Sequence, residues 1–596
     1  MKKLFFVLLL IAPFANSQIS NKHWLPPLHA NESGDPGLVL DHWVYLSTPE
    51  PTPFAVTVTY GNGDAFPGSP FTISQGNPVY FKVGDVQPSA MMVDRVDVGI
   101  VINTRKGLIL EGSKDFYVSF RVRATNHAEF LSSKGTTGIG TTFRLGSLPQ
   151  SDFGGIRNFV SSFMATQDNT TVNLSGYNPN ISFVSGNTAL TATSQTFVLN
   201  EGESVVVSGY TQGEPANLDG FVGALLTSDK PIAVITGNMC GGMLSASDGQ
   251  DFNLDQIVSL EQVGKEYVIV KGNGSDSSER PLVIAHENNT EVFVNGSATP
   301  ITTLNAGQFF LIPSSNFLGT GNNQNMYINT SKPIFLYQIV AGSDSDATSG
   351  FYFIPPLSCF WQESVDLIPD FDKIGNFTFN QSEIIVVTES GSAITVNGNP
   401  VTAMPQQATG NPNWETYRIS GLSGNVAVVS TGALAVGVFG VSGVAGYGGY
   451  FSGFGSIPSD SQTVICTGSI VNLFDRITGN PETNGTWTVP AGAPPLNGNL
   501  FAPTINLPGI YTYTFSKVCD GITRIFPINI DVSIQPGPFA GTNTSKSYCA
   551  TDAQEDLFDL LGNNVTTGGS WTFNGASITN GILNPATNQS GNYTYT

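Results

Sequence analysis

The sequence predicts an all-β protein: tandem antiparallel β-sandwich-like repeats, with a β-propeller as the alternative, followed by immunoglobulin-like β-sandwich repeats. Three observations lead there. Apolar runs are short, rich in β-branched residues and bounded by Gly, Asn and Ser, while helical periodicity is nearly absent. One such run recurs through most of the chain with a period of roughly 100 residues, the signature of an array. Near residue 460 the texture changes to a shorter repeat with a Cys…Trp…Tyr…Cys order, which is immunoglobulin-like in style.

The clearest copy of the long-period element is Ser228-Asp-Lys-Pro-Ile-Ala-Val-Ile-Thr-Gly237. Ser331-Lys-Pro-Ile-Phe-Leu-Tyr337 is a close relative, and Thr431-Gly-Ala-Leu-Ala-Val-Gly-Val438 a weaker one. Asn103-Thr-Arg-Lys-Gly-Leu-Ile-Leu110 reads as the earliest copy. In each, a polar turn feeds an apolar run too short for a free-standing helix, so it reads as a buried strand. On this alignment the copies are spaced by about 124, 102 and 101 residues.

At 596 residues the chain is too long for one core. Only 12% of it is charged and the net charge is −21, while 40% is apolar. This is a folded, low-charge surface of Thr, Asn and Ser over aromatic strands, which suits antiparallel sheets wetted on one side. The acidic balance argues against nucleic acid, since no basic patch can neutralise phosphates, and against an anionic membrane surface.

Residues 1–17 read as a signal peptide. Lys2 and Lys3 precede an apolar stretch, and Ala15-Asn-Ser17 offers small residues at a cleavage site before Gln18. The stretch is too short to span a bilayer, and no later segment resembles a membrane helix, so a secreted protein is expected.

The long-period region is expected over residues 40–455, in units of about 40–125, 140–240, 250–342 and 353–455. Trp43-Val-Tyr-Leu46 and Ala55-Val-Thr-Val-Thr-Tyr60 open the first unit as strands. The second runs from Phe159 through Asp168-Asn-Thr-Thr-Val172, then Phe197-Val-Leu199 and Ser204-Val-Val-Val207 around Glu201-Gly-Glu203. The third repeats that order with Leu282-Val-Ile-Ala-His286, Asn289-Thr-Glu-Val292 and Leu304-Asn-Ala-Gly-Gln308. The fourth carries Glu383-Ile-Ile-Val-Val387 and Ala393-Ile-Thr-Val-Asn-Gly398. About six to eight short strands per unit match a sandwich or two propeller blades.

Two shorter repeats follow, over residues 460–534 and 541–596. Leu473-Phe-Asp475, Gly485-Thr-Trp487 and Tyr511-Thr-Tyr513 recur as Leu557-Phe-Asp559, Gly569-Ser-Trp571 and Tyr593-Thr-Tyr595. Five cysteines in an exported chain are free to pair. The repeat order predicts a Cys466–Cys519 disulfide. Cys240 and Cys359 form a second candidate pair, set against two buried thiols. The equivalent partner for Cys549 falls near position 601, past the last residue, so the last repeat reads as incomplete and Cys549 as unpaired. Surface anchoring is then expected through sequence that is missing.

No catalytic constellation appears: no G-x-S-x-G, H-E-x-x-H or P-loop, and scattered histidines of which His286 reads as structural. Two acidic loops are weighed for Ca²⁺, one through Asp344 and Asp346, the other through Asp248 and Asp251. Calcium needs six to eight oxygens, and solvated turns explain both loops as well. Tyr447, Tyr450, Phe451 and Phe454 read either as a buried closing strand or as a stacking surface for sugars. No cofactor is expected apart from that Ca²⁺.

The Asn-Thr-x-Val, Leu-x-x-Gly-Gln/Glu and Ser-Asp-Lys-Pro-Ile-x-Val elements, with the Gly264-Lys-Glu-Tyr-Val connector, resemble the IgGFc-binding protein N-terminal domain family. The resemblance covers about residues 40–455 and takes in bacterial surface proteins of the Bacteroidetes type that carry immunoglobulin-like repeats. It implies an adhesive role: a secreted, non-enzymatic, cell-surface adhesin binding a protein or glycan partner non-covalently. A carbohydrate-active enzyme with accessory β modules and a structural stalk stay open as alternatives.

Overall fold

The computed structural model describes residues 18–29, 41–85, 89–93, 105–150, 157–183, 193–242, 250–341, 348–455, 458, 460–477, 479, 481–519, 522–537 and 539–596. The chain divides into two compact units. The first holds Met1–Pro458 with the short segments Gly479–Pro481 and Val518–Thr523, and the second holds the rest. Regular structure among the described residues is β-strand with a few short 3₁₀ turns, so the all-β expectation holds.

The first unit repeats one topology four times. In the second repeat the 17-residue strand Leu225–Gly241 belongs to two sheets. Its first half pairs with Ile139–Arg144 and Thr170–Ser175, and its second half with Asn158–Ala165 and Asp251–Ile257. The first repeat does the same around Leu108–Arg123, with Ser20–Leu25 and Phe54–Tyr60, then Asp41–Ser47 and Ala128–Ser132. In the third and fourth repeats that long strand is broken in two, as Asn325–Thr330 with Ile334–Ala341, and Val426–Ser430 with Leu434–Ser442. A strand that leaves one sheet for the other is how two twisted sheets share a corner.

The recurrent polar-then-apolar motif is that crossing point. Ser228 pairs with Val172 in one sheet, and Ile232 with Ala165 in the other. Pro333, which has no N–H to give a ladder, stands where the third repeat breaks. The same crossing in the first repeat lies at Gly112–Phe116: Gly112 pairs with Val56 and Tyr117 with Ser47. The earliest copy is therefore Gly112-Ser-Lys-Asp-Phe116 and not the stretch at Asn103. Both are polar turns before apolar runs, and only the pairing separates them.

Each repeat buries one core between its two sheets. In the first, Val56, Val58 and Leu110 of one sheet face Leu46, Val118 and Phe120 of the other, all essentially without solvent exposure. Each such side chain contributes about 1.5–3 kcal/mol by leaving water. The sandwich reading is thus the observed one, and no propeller closes among the described residues.

The four sandwiches are not strung out. Their last strands, Ala128–Ser132, Asp251–Ile257, Thr348–Phe353 and Ala445–Tyr450, pack against one another in chain order, and the fourth returns to the first. The result is a closed ring. Gln18 marks the closing seam: its backbone N–H donates to the Phe454 carbonyl at 2.9 Å and its side-chain amide to the Tyr450 carbonyl at 3.0 Å.

Neighbouring sandwiches touch through glycines in the Leu-x-x-Gly motif. Gly202 adopts φ 77° and Gly307 φ 80°, the left-handed region. A Cβ on Gly202 would overlap the Gly61 carbonyl of the preceding repeat. The motif therefore marks a joint between repeats, with glycine needed both for the turn and for the approach.

In the second unit the first short repeat forms a sheet in the order Ser461–Cys466, Ile522–Gln535, Gly509–Cys519, Thr486–Thr488. The last repeat forms Ala576–Ile578, Trp571–Phe573, Tyr593–Tyr595.

The cysteine pairing differs from the sequence expectation. Cys519 bonds Cys359, with Cα atoms 5.4 Å apart, and the hairpin tip Val518–Thr523 counts with the first unit. The expected Cys466–Cys519 bridge does not form. Cys466 is level with Gln535 at one end of the 14-residue strand Ile522–Gln535, whereas Cys519 precedes its other end. That is a separation of roughly 40 Å at the rise of a strand, while a bridge spans about 7 Å at most. The Cys240–Cys359 pair is excluded by the same bond, since the Cys359 sulfur is taken; Cys240 lies buried. Cys466 and Cys549 carry no disulfide.

Candidate functional site

Asp344 and Asp346 lie outside the described residues, as does Asp248. Asp251, the other acid weighed for Ca²⁺, is fully buried in the ring and accepts hydrogen bonds from the backbone N–H groups of Phe252 and Ala128. Among the described residues no group of three or more His, Cys, Asp or Glu is placed to hold a metal ion. Tyr447, Tyr450, Phe451 and Phe454 are all buried, so they close the ring and are no stacking surface. His286 is part-buried near Arg144, and burial first, then that cation, lowers its pKa.

The centre of the ring poses a physical problem. The last strand of each sandwich is a sheet edge, and its outward N–H groups are buried there without a ladder partner. Carboxylates fill the gap. Glu129 accepts from Phe130 N at 3.0 Å, Leu254 N at 3.0 Å and Gly448 N at 3.3 Å, which ties three repeats to one side chain. Asp255 accepts from Phe353 N at 3.0 Å and lies 3.2 Å from the Lys134 ammonium. Burial raises the Glu129 pKa well above the carboxylate range, and that of Asp255 to about 6 despite Lys134. Burial likewise pushes Asp251 up to about 7 against the pull of His127. These acids are sealed from solvent and bound to backbone donors, so their role is to hold the ring.

The surface feature best suited to a partner lies at the seam of the first and fourth repeats. Strand Asp41–Ser47 places Trp43 and Tyr45 on one face, where period-two alternation puts them together. Tyr80, 51% exposed, stacks on Tyr45 at 5.4 Å between centroids and lies 6.0 Å from Trp43. Lys82 lies over the Trp43 ring at 5.7 Å, and the Arg123 guanidinium over Phe377 at 4.6 Å. Asp41 holds both cations, Lys82 at 3.0 Å and Arg123 at 3.2 Å. Burial would raise the Asp41 pKa, but the hydrogen bonds from these two cations win and lower it.

Phe377 reaches the patch on the small hairpin formed by Lys373–Ile374 and Phe377–Thr378. Arg121 fastens the hairpin from beneath. It is fully buried between the Tyr45 and Phe130 rings and donates to the carbonyls of Pro369, Asp370 and Lys373 at 2.7, 2.6 and 2.8 Å. Gly375 N also donates to the Tyr45 hydroxyl at 2.8 Å. The patch thus presents the exposed Tyr80 ring beside part-buried Trp43, Phe377 and Arg123, over the buried Tyr45 and Arg121 that hold it, and Tyr and Arg are residue types of binding hot spots. The sequence reading missed it. The available signal was a cluster of Lys and Arg with Trp and Tyr in a chain otherwise poor in cations.

A family model described as IgGFc binding protein matches residues 128–440. No curated protein matches. Among solved structures, the N-terminal eight Ig domains of Down syndrome cell adhesion molecule are similar at 10% identity, over 95% of this chain and 78% of that one, with a TM-score of 0.12. An ICAM-5 ectodomain fragment is similar at 9% identity, over 66% of this chain and 99% of that one, with a TM-score of 0.10. A Salmonella alpha-2-macroglobulin is similar at 9% identity, over 96% of this chain and 50% of that one, with a TM-score of 0.13.

Proposed function

The chain belongs to the IgGFc-binding protein family, and we propose from that premise that it is a secreted, cell-surface adhesin that binds a protein partner non-covalently. The observation that carries the reading is the Trp43–Tyr80–Phe377 patch, whose hairpin is fastened by the buried Arg121. Its occupant meets the exposed Tyr80 ring and the half-exposed Lys82 ammonium, contacts that suit a protein surface. The residues at positions 1–17 direct export in this reading, and no helix among the described residues is long and apolar enough to cross a membrane.

The rival reading as a carbohydrate-active enzyme needs two carboxylates facing a cleft. Glu129, Asp251 and Asp255 are each 1% exposed or less and face backbone donors, which favours binding over hydrolysis.

The family name supplies the first probe. Biolayer interferometry of the immobilised protein with purified IgG Fc is expected to give saturable binding that Tyr80→Ala weakens about tenfold or more, a hot-spot effect. Saturable binding that Tyr80→Ala leaves unchanged would remove the patch from the reading, and no binding would remove Fc as the partner.

A further inference from the structure

Lys134 and Asp255 form a buried pair that joins two sandwiches. Lys134 stands just past Ala128–Ser132, the last strand of the first sandwich, and Asp255 lies in Asp251–Ile257, the last strand of the second. Both side chains are sealed, at 0% and 1% exposure, whereas Lys114 beside Glu50 is 39% exposed. The Phe454 ring covers the Lys134 nitrogen at 4.8 Å and itself stacks on Phe353.

As an ion pair the arrangement is poor. A buried ammonium has three N–H donors to satisfy. Lys134 Nζ lies 3.2 and 3.5 Å from the two Asp255 oxygens and 3.5 Å from the Tyr450 carbonyl. A good charge-assisted hydrogen bond is about 2.7–2.9 Å. Burial lowers the Lys134 pKa and raises that of Asp255 to about 6. The interior therefore favours moving a proton from Nζ to Oδ1, which leaves an amine beside a carboxylic acid. A desolvated lysine amine is a nucleophile.

As a reacting pair the arrangement is good. An Nζ set against both oxygens of one carboxyl group has the carbon between them within about 4 Å, close to the roughly 3–3.5 Å of a reacting contact. Phe353 N donates to Asp255 Oδ2 at 3.0 Å, where it meets negative charge as it develops. The Lys134 backbone N–H donates to Gln256 Oε1 at 2.7 Å, so the chain that carries the amine is fastened beside the acid. Orientation of this kind is worth an effective concentration of up to about 10⁵–10⁸ M.

We propose that Lys134 and Asp255 condense to an intramolecular amide, a covalent staple between the first and second sandwiches. The Nζ lone pair attacks Asp255 Cγ and the C–N bond forms, while Oδ2 takes the negative charge against the Phe353 N–H. The Oδ1 hydroxyl then takes a proton from Nζ and leaves as water, and Oδ2 returns to a carbonyl. One amine and one acid give one amide and one water, with nothing oxidised or reduced. The product buries a neutral amide where two charges stood, and the sealed site keeps out the water that would reverse the step. The staple ties residues 121 positions apart. It is independent of the aromatic patch and stands whether or not that patch binds a protein.

The test is peptide mapping by mass spectrometry of the full chain, folded first, then reduced, denatured and digested with trypsin. In most molecules the bond after Lys134 is expected to stay uncut, and a branched peptide is expected that joins the Lys134 and Asp255 segments and is one water lighter than their sum. Lys134→Arg is expected to restore cleavage after position 134 and to give both peptides at full mass. The wild-type map decides the matter even if that variant fails to fold. Most molecules giving the two peptides separately at full mass would overturn the proposal. So would a water lost within the Asp255 peptide alone, the mark of an imide, with cleavage after Lys134 retained.

Discussion

Arg121 Nη1 donates to the Asp370 carbonyl at 2.6 Å, across the seam where the first sandwich meets the fourth. One guanidinium there holds three backbone carbonyls, stacks on two aromatic rings and supports the hairpin that carries Phe377. The seam that closes the ring is therefore also the base of the aromatic patch.

Arg121→Leu is expected to lower the stability of the first unit by about 3–5 kcal/mol, because it strands three buried acceptors and removes a cation from between rings. Urea unfolding followed by tryptophan fluorescence measures it. A loss below about 1 kcal/mol would mean that the seam holds without the clamp.

Gly202→Ala tests the joint between repeats. Gly391, with φ 81° and open space around it, is the control. Gly391→Ala carries only the left-handed backbone cost of about 1–2 kcal/mol. Gly202→Ala adds overlap with Gly61 and is expected to cost at least about 2 kcal/mol more. Equal costs would show that the approach of the two repeats relaxes freely.

The buried acids make a signed prediction about pH. The Asp251 pKa is about 7 in the fold against 3.8 for the free residue, so the fold binds a proton that the unfolded chain releases. Its contribution to stability is present below about pH 4 and is lost as pH rises through about 7. His23 works oppositely: burial lowers its pKa from 6.5 to about 4, so its contribution is present above 6.5 and lost as pH falls through 4. Taking Asp251→Asn minus wild type cancels the His23 part, while the contact between Asp251 and His127 is lost with the carboxylate. The difference in melting temperature is expected to move in the variant's favour between about pH 5 and pH 8. A flat difference would mean that Asp251 ionises normally.

Non-reducing peptide mapping is expected to recover Cys359 linked to Cys519, with Cys466 and Cys549 outside that bond. A Cys466–Cys519 peptide would contradict the strand order of the first short repeat.

Much of the local structure was legible in sequence, because it rests on residue types. The polar-then-apolar motif marks a buried strand whether that strand is continuous, as at Leu225–Gly241, or broken, as at Pro333. Trp487 with Tyr513, and Trp571 with Tyr595, were visible as a repeat because side chain packs on side chain. Ring closure was not legible. Ala128–Ser132 reads as an apolar strand equally well in an isolated sandwich or at a ring centre. Arg121 left no trace because its acceptors are backbone carbonyls, which any residue supplies. The Cys359–Cys519 bond was hidden because five cysteines admit many pairings and spacing does not choose among them.

Ring closure by the four sandwiches is tested most directly by a distance between the first and the fourth. Gln75 Nε2 donates to Asp366 Oδ1 at 2.8 Å across the closing seam, and the pair is exposed. Spin labels at Gln75→Cys and Asp366→Cys, in a chain with Cys466→Ser and Cys549→Ser, would report it by double electron–electron resonance. A closed ring predicts a single distance below about 30 Å, the two label arms included, whereas four sandwiches in a row, each about 30 Å long, would separate the labels by more than about 60 Å. The short distance is the expected result, and the long one would contradict the ring.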